Sequence, residues 1–171
     1  MITIVKTGSE GIPIIQGLSQ LIWPETYLHI LKAEQISYML DLMYSNESLS
    51  EQITLKHHQF IIAYDDDKPV AFSSYGLKPE TDKVFRLHKL YILPGLQGKG
   101  IGKLLIQFII NDIKNFGIQM LELNVNKQNP AIGFYRKLGF KIIREENIEI
   151  GGRFFVEDFI MVMPLHGLTV T

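Results

Sequence analysis

Segment 88–105, HKLYILPGLQGKGIGKLL, sets four glycines between an apolar, strand-like stretch and the start of an amphipathic helix. A strand that turns through glycines into a helix brings bare backbone N–H groups to the positive end of a helix dipole, where a phosphate binds. The helix itself is predicted by spacing. Ile101, Leu104, Leu105, Phe108, Ile109, Ile113 and Phe116 fall on one stripe, and Lys103, Gln107, Asn111 and Lys114 fall opposite. A helix with one apolar stripe has to lie on something, and the strands around it supply a sheet.

The rest of the chain fits that frame. ITIVK reads as a short strand and GIPIIQGLSQLI as a helix capped near Ser9. KAEQISYMLDLMYS carries Ile36, Met39, Leu40 and Met43 at helical spacing, and SLSEQITL predicts a second short helix. HQFIIAYDDDKPVAFSSYGL gives two strands around the polar break 65–68, and KVFRLHKLYIL extends the sheet. IQMLELNVN alternates Leu121, Leu123 and Val125 with Glu122, Asn124 and Asn126, so it is a strand with one polar face. NPAIGFYRKLGF predicts a helix ended by Gly139, and two further strands follow. The class is mixed α/β, and 171 residues with 46% hydrophobic content suit a single domain over 1–171.

Composition narrows the function. A formal net charge of −1 gives no electrostatic case for nucleic acid or an anionic membrane. No apolar run reaches the roughly 18 to 20 residues a membrane helix requires. The absence of cysteine excludes disulfides, thiolate metal sites and a cysteine nucleophile, and with no basic-then-apolar run at the N-terminus a cytoplasmic protein is expected. His57 and His58 read as strand-edge residues, and without a third ligand on a common element no metal site is expected.

The glycines fail two common phosphate motifs. A P-loop would need glycine at Gln97 and a hydroxyl at Leu104, so its magnesium ligand is missing. A Rossmann turn would need a small residue at Lys103 and a parallel βαβ array around it. Gln97, Gly100 and Gly102 instead resemble the signature of the GNAT superfamily of acyl-coenzyme A dependent N-acyltransferases: Gln or Arg, two residues, Gly, one residue, then Gly or Ala. NPAIGFYRKLGF at 129–140 is similar to that family's second signature, in the expected order and with room between for one helix and one strand.

The resemblance implies a GNAT fold: a mostly antiparallel twisted sheet, splayed between its fourth and fifth strands and flanked by helices. It also implies acetyl-CoA as acyl donor. Gln97, Gly98, Lys99, Gly100, Ile101, Gly102 and Lys103 would form the pyrophosphate turn, with Gly98, Gly100 and Gly102 keeping Cβ atoms away from the diphosphate and Lys99 and Lys103 adding charge. Leu90, Tyr91 and Ile92 would offer backbone groups to the pantetheine arm and thioester. Asn129 would bond the pantetheine, cap the helix ahead of Pro130, or do both. Lys137 is the candidate for the adenosine 3′-phosphate. The N-terminal third and EDFIMVMPL look like the bacterial enzymes related to spermidine/spermine N-acetyltransferases.

The chemistry implied is attack of an unprotonated amine on a thioester, with negative charge gathering on the carbonyl oxygen and a thiolate departing. Tyr135 occupies the family's position for the general acid, although a packed aromatic has the same sequence appearance. His88, two residues before Leu90, is the candidate base, with a satisfied sheet histidine as the equal alternative. Glu25, Tyr27, Glu157 and Asp158 are candidate cation partners, and Trp23 and Tyr27 around Glu25 could hold a cationic amine or simply pack. The acceptor is then a small primary amine, a polyamine among the candidates, with a peptide or protein amine as the alternative. An acyl-CoA sensor without turnover would keep the same glycines, and an intact Tyr135 argues against it. Homodimers are frequent in the family.

Overall fold

Residues 1–165 are described by the computed structural model. Its strands are β1 (Ile2–Thr7), β2 (Gln59–Asp65), β3 (Lys68–Leu77), β4 (Val84–Ile92), β5 (Met120–Asn126), β6 (Lys141–Gly151) and β7 (Phe154–Pro164). The α-helices are α1 (Ile12–Tyr27), α2 (Ala33–Tyr44), α3 (Asn46–Thr54), α4 (Ile101–Ile113) and α5 (Ala131–Leu138). All seven strands join one sheet in the order β1-β2-β3-β4-β5-β7-β6. Every junction is antiparallel except β4–β5, which α4 makes parallel by crossing over the sheet. This is the splayed, mostly antiparallel GNAT architecture the sequence led us to expect. Among the described residues no helix is long and apolar enough to cross a membrane.

Two apolar layers sandwich the sheet. On one face α4 buries Ile101, Leu105, Ile106, Ile109 and Ile113 against Ile61, Ala63, Leu87, Leu121 and Leu123. On the other, α1, α2 and α3 bury Ile15, Leu18, Ile22, Trp23, Ile36, Tyr44 and Leu49 against Phe60, Ile62 and Phe72. Alternation along β2 divides Phe60 and Ile62 from Ile61 and Ala63, as a strand buried on both sides requires.

Three local expectations need correction. Helix α1 starts at Ile12 behind a short 3-10 turn at Ser9–Gly11, and Ser9 makes no cap bond. In α4 the buried stripe takes Ile106 in place of Leu104, which is 42% exposed. The helix ends at Ile113, so Phe116 lies beyond it in a short turn and is 68% exposed.

Ion pairs pin the parallel junction. Arg86 of β4 and Glu122 of β5 are direct cross-strand partners, with Arg86 Nη2 2.8 Å and Nε 3.2 Å from Glu122 Oε2. Lys78 Nζ adds a bond to Glu122 Oε1 at 3.1 Å. Only 4% of the Glu122 side chain is exposed. Burial alone would raise its carboxyl, but Arg86 and Lys78 hold it below the usual carboxylate range. Glu122→Gln should therefore destabilise the protein by about 2 kcal/mol at pH 7. Because the folded carboxyl is held low, its contribution is present above the unfolded value of about 4.3 and is lost as pH falls through the folded one. Denaturant unfolding of parent and variant should give curves that differ at neutral pH and converge in acid.

Candidate active site

Parallel pairing between β4 and β5 covers only Val84–Leu87 against Met120–Leu123. Past that point the two strands part while each keeps its outer partner, β3 for β4 and β7 for β5. Leu93 N–H donates to Val70 O at 2.9 Å. By the alternation of an antiparallel ladder, Tyr91 then spends its backbone groups on β3, and those of Leu90 and Ile92 face the gap. Of the three residues expected to offer backbone there, two are placed to do so. Tyr91 contributes its side chain instead.

A cavity of about 1090 Å³ occupies the gap and opens on both faces of the sheet. At the α4 and α5 end its lining includes Gln97, Gly98, Gly100, Gly102, Asn129, Phe134 and Lys137; at the α1 and α2 end it includes Trp23, Glu25, Ile30, Met39 and Met43. The glycine turn is shaped for close approach. Gly98 and Gly100 have φ of 79° and 85°, in the left-handed region, and a Cβ on either would meet nothing within 4 Å. Gly100 caps α4, whose first backbone bond runs from Leu104 N–H to Gly100 O, so the N–H groups of Ile101, Gly102 and Lys103 have no partner within the helix. Gly102 serves a further end: a Cβ there would lie 2.8 Å from the Phe134 ring, so this glycine lets α4 approach α5. Lys99 and Lys103 are exposed beside the turn without lining the cavity, and the Ile101 side chain is buried in the α4 core.

Tyr135 projects from α5 into the cavity wall, packed between Phe134 and Phe140. Among the described residues its hydroxyl has no hydrogen-bond partner, and burial raises its pKa well above that of a free phenol, so it stays protonated. Asn129 Oδ1 accepts from Ala131 N–H at 2.9 Å in an Asx turn that leads into α5, and the residue lines the cavity. Tyr27 and Tyr91 share a hydroxyl–hydroxyl bond of 2.9 Å, and burial pushes the Tyr27 phenol up to about 12. Trp23 lies 4.5 Å from the Tyr27 ring and donates its indole N–H to Tyr44 Oη at 3.2 Å. The Trp23–Tyr27 patch is thus largely a packing cluster, and Glu25 stands exposed at the rim.

His88 needs the largest revision. Ser74 pairs with Lys89 and Tyr75 with Leu87, which leaves His88 as the extra residue of a β-bulge. Its ring stacks on His58 at 3.8 Å, close to parallel at 16°, and its Nε2 is buried with no partner. Burial, then the neighbouring His58 and Lys89, pushes its pKa down to about 2, which is poor for a proton acceptor near neutrality. His58, read from sequence as an edge residue, is this stacking partner; burial takes its own pKa to about 4.

The bulge also turns Lys89 inward. It is 8% exposed, donates from Nζ to Gln52 Oε1 at 2.7 Å, and lies 5.5 Å from the Tyr44 ring centroid and 5.7 Å from that of Phe60. Among the described residues no carboxylate pairs with it, and burial lowers its pKa to about 8. Nothing local marks this buried cation, because a lysine on a strand is ordinarily read as pointing to water. Asn124 and Asp158, on neighbouring β5 and β7, complete the cavity wall, and the Asn-x-Asn alternation of β5 was the visible signal for them.

Comparisons with known proteins agree with this geometry. The family model for the acetyltransferase (GNAT) domain matches residues 28–157. A spermidine N(1)-acetyltransferase of Thermoplasma acidophilum is 30% identical over 146 residues, covering 82% of this chain and 89% of that one. An uncharacterized N-acetyltransferase of Mycobacterium tuberculosis is 29% identical over 133 residues, covering 77% and 83%. Among solved structures, the PaiA N-acetyltransferase of T. acidophilum in complex with coenzyme A superposes with a TM-score of 0.80 at 27% identity, over 96% of this chain and 99% of that one. The chain belongs to the GNAT acetyltransferases. It is accordingly an acyltransferase that draws on acetyl-CoA, and the open glycine turn and free strand edge suit that molecule.

Two measurements follow. The folded state favours neutral Lys89 while the unfolded chain keeps lysine charged to about 10.4, so stability should rise with pH between about 8 and 10.4. Lys89→Met should abolish that rise in urea unfolding across the window. Gly100→Val imposes a β-branched side chain on a left-handed φ, which costs roughly 1–2 kcal/mol locally or reshapes the turn. Calorimetric titration of the folded variant should show acetyl-CoA affinity reduced about tenfold or more.

Proposed function

We propose that the single domain 1–171 transfers the acetyl group of acetyl-CoA to a small primary amine, with a polyamine as one candidate, by direct attack while both substrates are bound. The observation that carries this reading is the gap between β4 and β5: it presents free backbone at Leu90 and Ile92, with the glycine turn at one mouth and a separate chamber at the other. The T. acidophilum relative, named for spermidine, is what brings polyamines into consideration. A chain without cysteine has no need of an oxidising compartment, which supports a cytoplasmic setting.

Acetyl-CoA supplies a thioester carbonyl and a thiol leaving group. The unpaired N–H groups at the start of α4, with Gln97 and the nearby Lys99 and Lys103, hold the diphosphate, and Lys137 at the cavity edge reaches toward the ribose phosphate. Leu90 and Ile92 take up the pantetheine arm as an added strand and aim N–H donors at the carbonyl oxygen. Tyr135, kept protonated by burial, donates its phenolic proton to the departing sulfur. His88 remains neutral and shapes the bulge. The amine's proton leaves through the opposite mouth, where exposed Glu25 meets solvent.

Thiol release with acetyl-CoA and a panel of amines tests the reading. Tyr135→Phe should lower kcat roughly 10²-fold with acetyl-CoA affinity unchanged. His88→Ala should leave the acidic limb of the rate profile in place, since a group titrating near 2 cannot produce it. Acetyl-CoA binding without turnover of any amine would reject the reading in favour of a sensor.

A further inference from the structure

Among the described residues, the chamber on the α1 and α2 side contains a carboxylate with no cationic partner and an amide oxygen with no hydrogen-bond partner. Asp158 of β7 lies across from Asn126 of β5, is half-buried, and lines the cavity. Among the described residues no lysine, arginine or histidine forms an ion pair with it. Two residues back along β5, on the same face, Asn124 Oδ1 is buried without a hydrogen-bond partner among the described residues. Burial lifts the Asp158 carboxyl above its usual value, with the Asn124 amide offsetting part of the rise and Glu146 adding to it. A carboxylate without a cation, beside an amide oxygen without a donor, calls for a ligand that only donates. A primary ammonium has three N–H donors, no acceptor and a positive charge.

Away from those acceptors the chamber is apolar. Ile30 and Leu31 follow α1, Met39 and Met43 come from α2, and Ile148 and Ile150 come from β6. The slot they form is tied shut at its far side. Tyr38 Oη donates to Ile150 O at 2.9 Å and Gln35 Nε2 to Phe155 O at 2.9 Å, so α2 is clamped to the β6–β7 hairpin. A second cation among these apolar side chains would lose its hydration, since the chamber's other carboxylate, Glu25, stands exposed at the rim, whereas methylenes or a ring would gain from burial. The methionines can adapt to either shape.

Resting on the N-acetyltransferase reading above, we propose that the acceptor is a primary amine carried on an apolar body, its ammonium held by Asp158 and Asn124 Oδ1 and its alkyl or aryl portion enclosed by the α2–hairpin slot. Polyamines are thereby disfavoured, because their second and third charges fall among Met39, Met43, Ile148 and Ile150.

The test compares n-hexylamine and phenethylamine with 1,6-diaminohexane and spermidine, by kcat/KM at saturating acetyl-CoA and by calorimetric titration of each amine into the protein with coenzyme A bound. The monoamines should be preferred by roughly tenfold or more. Asp158→Asn should weaken hexylamine binding by about ten- to a hundredfold with coenzyme A affinity unchanged. Met43→Glu should move the preference toward 1,6-diaminohexane by supplying the missing carboxylate. Spermidine or the diamine preferred by the parent protein would overturn the proposal and leave the N-acetyltransferase reading intact. If no amine turns over, that reading fails, and the titration still decides the subsite: absence of saturable hexylamine binding, or equal affinity in Asp158→Asn, overturns it.

Discussion

Everything functional in this fold depends on a hydrogen-bonded ladder that stops. Strands β4 and β5 pair in parallel for four residues and then separate, and a seam between two central strands becomes a passage through the sheet. The interruption is stable because each strand keeps an antiparallel neighbour on its outer side and because Arg86, Lys78 and Glu122 fasten the closed end. Backbone groups left without a partner in a protein interior are costly, so their persistence along Leu90 and Ile92 points to something that pairs with them.

The passage joins two unlike environments. On the α4 and α5 side it meets a helix N-terminus with free N–H groups and left-handed glycines, which suits an extended anionic substrate. On the α1 and α2 side it meets a largely apolar chamber with the Asp158 carboxylate in its wall and Glu25 at its exposed rim. In the proposed reaction the two substrates lie on opposite faces of the sheet and meet at the gap. Tyr135 reaches the passage from the first side, and the Tyr27–Tyr91 pair reaches it from the second. This division suits the proposed direct attack, and it agrees with a chain that has no cysteine.

The legible parts of the site were those written into contiguous residues. Gly98 and Gly100 read correctly as an open turn because their positive φ is a local demand that only the residue type can meet. Gly102 carries a further constraint that comes from Phe134, thirty-two positions away, which no local reading supplies. His88 failed through the bulge. Strand periodicity assumes an unbroken alternation, and one extra residue opposite Ser74 and Tyr75 turns His88 onto His58 and sends Lys89 into the core. Phe116 and Leu104 were assigned to the buried stripe because spacing identifies a face without saying where the neighbouring layer ends.

The sequence by itself determined the element order, the α4 crossover, the open glycine turn and the position of Tyr135, since each rests on local periodicity, glycine placement or capping. Tertiary structure alone decided which backbone groups stay free, which face of the sheet Lys89 and His88 occupy, and that Asn124 and Asp158 stand together in one wall. The physical reason is that burial and partnership belong to pairs of residues brought together by the fold. Asp158 is thirty-four positions from Asn124, and only the placement of β7 beside β5, with β6 sent to the sheet edge, makes them neighbours.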